Sequence, residues 1–217
     1  MGTIFLSFDK KVAFYTYFKS LFFAIVILGV VFIPWDIWFA DKGIWGFNDE
    51  HLLGVYLFKL PIEEWLFFIT VPFSCTFIHY VLKAYFKNPI PLGFSTRFWY
   101  FLSVALLVIG IWNFDQWYTL VAFVLSATAV AIITFLNSHF MKDFLMTYVV
   151  CFVPFMIVNG ILTGGFTENP VVWYNPDHII GLRIGSIPIE DSVYNLLLVV
   201  IITFFTNFFQ TKASNSK

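Results

Sequence analysis

Two short stretches of this sequence place carboxylates where a very apolar chain would otherwise avoid them. Residues 47–64 read FNDEHLLGVYLFKLPIEE, and residues 174–191 read YNPDHIIGLRIGSIPIED. They align without a gap at an offset of 127. Six positions are identical: Asn48/Asn175, His51/His178, Gly54/Gly181, Pro61/Pro188, Ile62/Ile189 and Glu63/Glu190. Chance would give about one identity, so the chain contains an internal repeat. Each copy ends in a proline and two acids, Glu63-Glu64 and Glu190-Asp191, followed by apolar residues. Acids at the edge of a membrane helix are functional candidates, although a helix N-terminus also attracts them for structural reasons. Adjacent helical residues point about 100° apart, so cooperating acids are expected across the repeat, Glu63 with Glu190 or Glu64 with Asp191. The identical pair, Glu63 and Glu190, is taken as the primary one.

The chemistry open to such a set is acid catalysis away from water. Burial and like charge favour a neutral carboxyl, and the helix dipole opposes this. A protonated carboxyl beside aromatic faces suits protonation of an isolated alkene and shelter of the resulting carbocation. Trp35, Trp38, Trp45, Trp65, Phe67, Phe68 and Tyr194 could supply cation–π stabilisation, or simply anchor the chain at the membrane interface. His51 and His178 repeat but stand alone, which points to caps or loop structure. Asn159, Asn195 and Asn207 read as interhelical hydrogen-bonding amides, and His79 and His139 as interfacial. No dinucleotide fingerprint, phosphate-binding loop or zinc-protease motif occurs. No cofactor and no metal are expected.

The elements that must hold these groups follow from composition. Of 217 residues, 60% are hydrophobic and 12% charged, with a mean hydropathy of +0.85. Soluble domains carry roughly twice that charge, so a soluble enzyme is excluded. A net charge of −1 leaves no basic face for nucleic acid. Apolar runs at 12–33, 61–82, 98–114, 117–136, 144–163 and 187–209 are each long enough to cross a bilayer. Tracing six passes puts Lys10, Lys11, Lys19, Lys83, Lys87, Arg97, Lys142, Lys212 and Lys217 on one side, nine of the twelve basic residues. Eleven of the thirteen acids fall on the other side. The basic side, with the C-terminus, is therefore predicted to be cytoplasmic in a multi-pass protein of the cell membrane. Cys75 and Cys151 lie within apolar runs without metal spacing and read as packed membrane residues.

The fold predicted is all-α: a polytopic bundle of six helices plus a truncated first helix, in two parallel pseudo-twofold repeats. The repeats are 1–97 (first helix truncated) and 117–217, joined by a linking helix at 98–116. Asn48 and Asn175 read as N-caps. Pro61 and Pro188 are then expected to interrupt the helices that follow, giving broken helices just before the acids.

Pro-Ile-Glu-Glu-Trp-Leu-Phe-Phe (61–68) and Pro-Ile-Glu-Asp-Ser-Val-Tyr-Asn (188–195) resemble the membrane-integral lycopene cyclase domain family. That family comprises the heterodimeric bacterial carotenoid cyclases and the cyclase part of fungal bifunctional enzymes. Trp35-Asp36, residues 43–48, Asn159–Thr163 and Val172–Asn175 look like further signatures of it. Here the two halves look fused, and the start departs from the pattern. The resemblance implies non-redox cyclisation of the linear ψ ends of lycopene to β-ionone rings, with γ- or β-carotene as products. It implies Glu63, Glu64, Glu190 and Asp191 as catalytic acids, lycopene or a related linear carotenoid as substrate, and the lipid bilayer as setting. Self-association or contact with other carotenoid enzymes would fit. Two alternatives are an integral prenyltransferase using Asp36, Asp41, Asp49 and Glu50, with Lys42 and Arg183 as clamps, and a non-enzymatic carotenoid- or lipid-binding subunit.

Overall fold

In lipid, backbone polar groups must be satisfied within the segment, which leaves the helix as the way to carry long apolar runs. In the computed structural model, which describes residues 2–86, 95–166 and 168–215, these runs are helices α2 (Phe18–Asp41), α3 (Ile62–Tyr85), α4 (Thr96–Trp112), α5 (Trp117–Leu136), α6 (Ser138–Leu162) and α7 (Ile189–Asn215). A five-residue helix, α1 (Gly2–Leu6), and a 3₁₀ turn at Phe14–Tyr17 precede them. Lys87 and Lys217, assigned above to the basic side, lie outside the described residues. The six expected runs are thus six helices. Five of these are long and apolar enough to cross a membrane, while α4 is apolar but only 17 residues long.

Helix α7 is the central pillar. Leu196 to Ile202 are buried without a break, so this helix is apolar on every face and covered on every face. Its neighbours are α2, α3, α5 and α6, while α4 packs chiefly on α5. Hydroxyls at this depth are satisfied locally: Thr203 donates to the Val199 carbonyl and Thr206 to that of Ile202. Other polar groups tie helix to helix, as Trp99 Nε1 does to the Met141 carbonyl at 2.8 Å and Ser126 Oγ to that of Val193 at 3.0 Å. The outer faces expose large apolar side chains such as Phe101, Trp112 and Phe135. The chain is a membrane-embedded helical bundle.

The duplicated motif folds twice in the same way, but not as a broken helix. Asn48 Oδ1 accepts from Glu50 N at 3.1 Å and Asn175 Oδ1 from Asp177 N at 3.0 Å. Both are caps, as expected, yet each caps a single 3₁₀ turn (Asp49–His51, Pro176–His178). The chain then forms a two-residue hairpin. In the first copy β2 (Tyr56–Leu57) pairs with β3 (Leu60–Pro61), and in the second β5 (Arg183–Ile184) pairs with β6 (Ile187–Pro188). Gly54 and Gly181, both in the left-handed region, end any helical path. A residue before proline is also pushed out of the helical region. The prolines therefore close a strand and α3 and α7 start immediately after them, which corrects the expected break.

The two halves meet along strands β1 (Trp45–Phe47) and β4 (Val172–Tyr174), which pair antiparallel with Gly46 opposite Trp173. Asn48 N donates to the Val171 carbonyl and Asn175 N to the Ile44 carbonyl, both at 2.9 Å. Under the offset of 127 these two bonds exchange places, and the Gly46–Trp173 pair maps onto itself. A local twofold axis passes through it. A Cβ on Gly46 would lie 2.6 Å from the Trp173 indole, so any larger residue there must displace that ring. Gly46→Ala is expected to cost about 1–3 kcal/mol of stability through overpacking. Combining it with Trp173→Ala should cost less than the sum of the two single changes. Thermal unfolding of the four proteins checks this, and additive losses would contradict the contact.

Candidate functional site

The four motif acids divide into two kinds. Glu63 Oε1 accepts from Leu53 N at 2.7 Å, and Glu190 Oε1 accepts from Ile180 N, also at 2.7 Å. These are equivalent bonds in the two halves. They tether each preceding loop to the first turn of α3 or α7. Glu190 also accepts from Thr119 Oγ1 at 2.7 Å and is fully buried. Glu63 and Glu190, expected as the primary pair, each anchor a loop through Oε1, while the Oε2 of each is buried without a partner.

Glu64 and Asp191, the other equivalent pair, line one cavity. It has a volume of about 80 Å³ and is walled by Trp45, Phe47, Phe67, Tyr118, Phe155, Asn159, Leu162, Val172, Tyr174 and Tyr194. That is room for several waters or the tip of one hydrocarbon chain. Asp191 is clasped by three donors: Tyr118 Oη to Oδ1 at 2.6 Å, Asn159 Nδ2 to Oδ2 at 2.6 Å, and Tyr174 Oη to Oδ2 at 2.7 Å. The rings of Tyr118 and Tyr174 stack at 5.8 Å. Such a donor set complements a carboxylate. The residues corresponding to Asn159 and Tyr174 in the first half are Phe32 and Phe47, so two of the three donors that clasp Asp191 have apolar counterparts there. Tyr194 corresponds to Phe67, and both line the cavity.

A further acid stands close by. Asp36 of α2 is completely buried, and its Oδ2 accepts from Tyr194 Oη at 3.3 Å. Its Oδ1 has no partner. It lies near enough to Glu64 for the two to interact electrostatically.

The expected aromatic set is split in the same way. Trp45, Phe67 and Tyr194 line the cavity. Trp35 packs on Tyr194 at 5.3 Å, and Phe68 backs Phe32, which itself meets Tyr194 edge-on at 5.0 Å. Trp38 is 38% exposed, crosses Trp117 and does not line the cavity. Trp65 donates to the Leu57 carbonyl at 3.1 Å and secures the first hairpin. His51 bonds the Asn169 carbonyl at 3.2 Å from its exposed turn, and His178 occupies the equivalent turn. His79 is buried and bonds Thr147 Oγ1 at 2.7 Å. Cys75 and Cys151 are buried and free. Asp41 at the end of α2 pairs with Lys59, and Asp49 accepts from Tyr56; both pairs are exposed, and none of the four lines the cavity.

Asn159 makes the interhelical hydrogen bond expected of it, to Asp191 of α7; sequence reasoning placed Tyr174 only within a stretch resembling a family signature and passed over Tyr118. Asp36 carried a signal, as an acid deep in an apolar run. Tyr118 carried none, because nothing local marks its hydroxyl as aimed at α7.

Fold and site together define an integral membrane protein with two equivalent acids lining one largely aromatic cavity. The chain belongs to the lycopene cyclase family, whose model matches residues 1–82 and 115–209. It is similar to three fungal proteins named bifunctional lycopene cyclase/phytoene synthase. That of Leptosphaeria maculans is 31% identical over 70 residues, 32% of this chain and 12% of that protein. That of Aspergillus oryzae is 26% identical over 87 residues, 40% and 15%. That of Phaeosphaeria nodorum is 28% identical over 99 residues, 43% and 17%. The matched stretches thus span less than a fifth of these relatives. No solved structure matches the chain.

Outside the helices, burial and the nearby Asp191 carboxylate push the Tyr174 phenol above its ordinary value of 10.0. A group that holds its proton more tightly when folded stabilises the fold below its unfolded value, and that contribution fades as pH rises above it. Stability should therefore fall above about pH 10, and Tyr174→Phe should fall less steeply there. Parallel slopes of the unfolding midpoint against pH would contradict this.

Proposed function

We propose that this chain cyclises the linear ψ ends of lycopene to β-ionone rings by proton addition and proton loss, without net redox change. The observation that carries the reading is the pairing of Glu64 with Asp191. They are equivalent acids on one cavity, the second held by three donors, of which Asn159 and Tyr174 have the apolar counterparts Phe32 and Phe47 in the first half. Environments that separate two carboxyls in this way suit an acid and a base. Family membership and the names of the fungal relatives support lycopene as the substrate.

Glu64 gives its proton to the CH carbon of the terminal trisubstituted alkene, leaving a tertiary cation on the dimethyl carbon. The π electrons of the next alkene attack that carbon and close a six-membered ring, moving the cation onto a ring carbon. Asp191 then takes the proton from the ring junction, and the freed electron pair forms the ring double bond. One proton enters and one leaves. Trp45, Phe67 and Tyr194 present π faces to the cation, and their bulk keeps out water that would otherwise trap it as an alcohol.

The substrate dissolves in the bilayer, and its end group enters between α3 and α6, whose Phe67, Phe155 and Leu162 line the cavity. Glu63 and Glu190 hold the hairpins over it. The two halves, 1–97 and 117–217 with the linking helix between, act as one unit. The chain resides in the cell membrane with its C-terminus cytoplasmic, alone, self-associated or beside other carotenoid enzymes.

General acids are worth about 10²–10⁴ in rate. In lycopene-producing cells Glu64→Gln should therefore lose at least about a hundredfold of ring formation, read by pigment chromatography. Glu63→Gln keeps an oxygen for Leu53 N and should retain most activity. Unchanged cyclisation by Glu64→Gln would overturn the assignment.

A further inference from the structure

The far ends of α3 and α7 form a second cavity, unconnected with the chemistry above. It has a volume of about 450 Å³ and lies between the segment at Lys11–Tyr17, the end of α3 at Tyr80–Ala84 and the end of α7 at Asn207–Ser214. From Glu64 to Lys83 is nineteen residues of helix, or about 28 Å at 1.5 Å per residue. That is the thickness of a bilayer's hydrocarbon core. If the acid cavity sits near one headgroup layer, this cavity sits at the other.

Its chemistry is cationic and donor-rich. Lys11 and Lys83 line it, and no acid does. Lys11 Nζ rests 3.5 Å above the Tyr85 ring, and Lys83 Nζ lies 5.9 Å from that of Tyr80. Tyr80 is only 6% exposed, stacks on Tyr17 at 3.8 Å, and has a hydroxyl with no hydrogen-bond partner. A buried hydroxyl without a partner costs free energy comparable to a lost hydrogen bond. Gln210 Oε1 accepts from Ser20 Oγ at 2.8 Å, which leaves its amide nitrogen available to donate. Two ammonium groups, an unpartnered phenol and an amide thus converge on one space with no anion among its lining residues.

We propose that this cavity binds the phosphate of an anionic phospholipid headgroup, with the lysines supplying charge and Tyr80 and Gln210 supplying directed hydrogen bonds. Basic pockets between membrane helices at the headgroup level take such ligands. The volume is that of a small-molecule site. Free phosphate presents the same oxygens but lacks the acyl chains that hold a lipid headgroup at this depth.

The test uses the full chain purified in detergent, with phosphatidylglycerol, phosphatidylcholine or inorganic phosphate added separately. Phosphatidylglycerol should raise the unfolding midpoint more than phosphatidylcholine does, and should be retained in native mass spectrometry. In Lys11→Gln/Lys83→Gln its affinity should fall about thirty-fold, at roughly fivefold per cation, with the response to phosphatidylcholine unchanged. Tyr80→Phe, which keeps the ring packing, should weaken phosphatidylglycerol alone and serves should the double variant fail to fold. Equal responses of the parent and Tyr80→Phe to phosphatidylglycerol would overturn the site. Equal stabilisation by inorganic phosphate would overturn the lipid as its occupant.

Discussion

The antiparallel pairing of β1 with β4 is the contact on which the site depends. It is only three residues long, yet it joins the two copies of the motif through bonds that are equivalent under their local twofold axis. Each strand leads through a 3₁₀ turn and a hairpin into the first turn of α3 or α7. With the strands paired, the starts of those helices are held at matched positions, and the acid one residue after each identical glutamate faces a shared space. The backbone amides of Leu53 and Ile180, bound by Glu63 and Glu190, lock this path in each half. One acid of each pair binds a loop amide, and the other lines the cavity.

Duplication explains why two equivalent acids exist, and divergence explains why they can differ. Where the second half carries Asn159 and Tyr174 against Asp191, the first carries Phe32 and Phe47. Where the second carries Tyr194, the first carries Phe67, and Asp36 stands where the second half has Thr163. Tyr118 completes the clasp from α5. The symmetric frame thus holds an asymmetric pair, a condition that two like carboxyls need before one can give a proton and the other take it. Tyr194 touches both environments, bonding Asp36 while lining the cavity shared by Glu64 and Asp191.

Much of this was legible in the residues alone. Apolar runs marked six helices, because in lipid few other backbone forms are open to them. The repeat and its acids stood out because charge is scarce in such a chain. Residues 49–61 were harder: an asparagine cap and early acids suggest a helix, whereas Gly54 and the residue before Pro61 require extended or left-handed backbone. Those two constraints decide the hairpin. The loop-anchoring bonds of Glu63 and Glu190 were not legible, since they depend on where the amides of Leu53 and Ile180 come to lie in the fold. The hydroxyls of Tyr118 and Tyr174 depend on tertiary packing that no local pattern encodes.

The reading as a cyclase rests on proton addition to carbon, and that step leaves an isotopic mark. The most direct measurement is mass spectrometry of the cyclic carotenoid formed by the purified chain from lycopene in heavy water. An exchangeable carboxyl that donates to the terminal alkene predicts one non-exchangeable deuterium in each closed ring, on the carbon that was the alkene CH. Rings formed without deuterium there would contradict protonation by Glu64 and, with it, the account of the site.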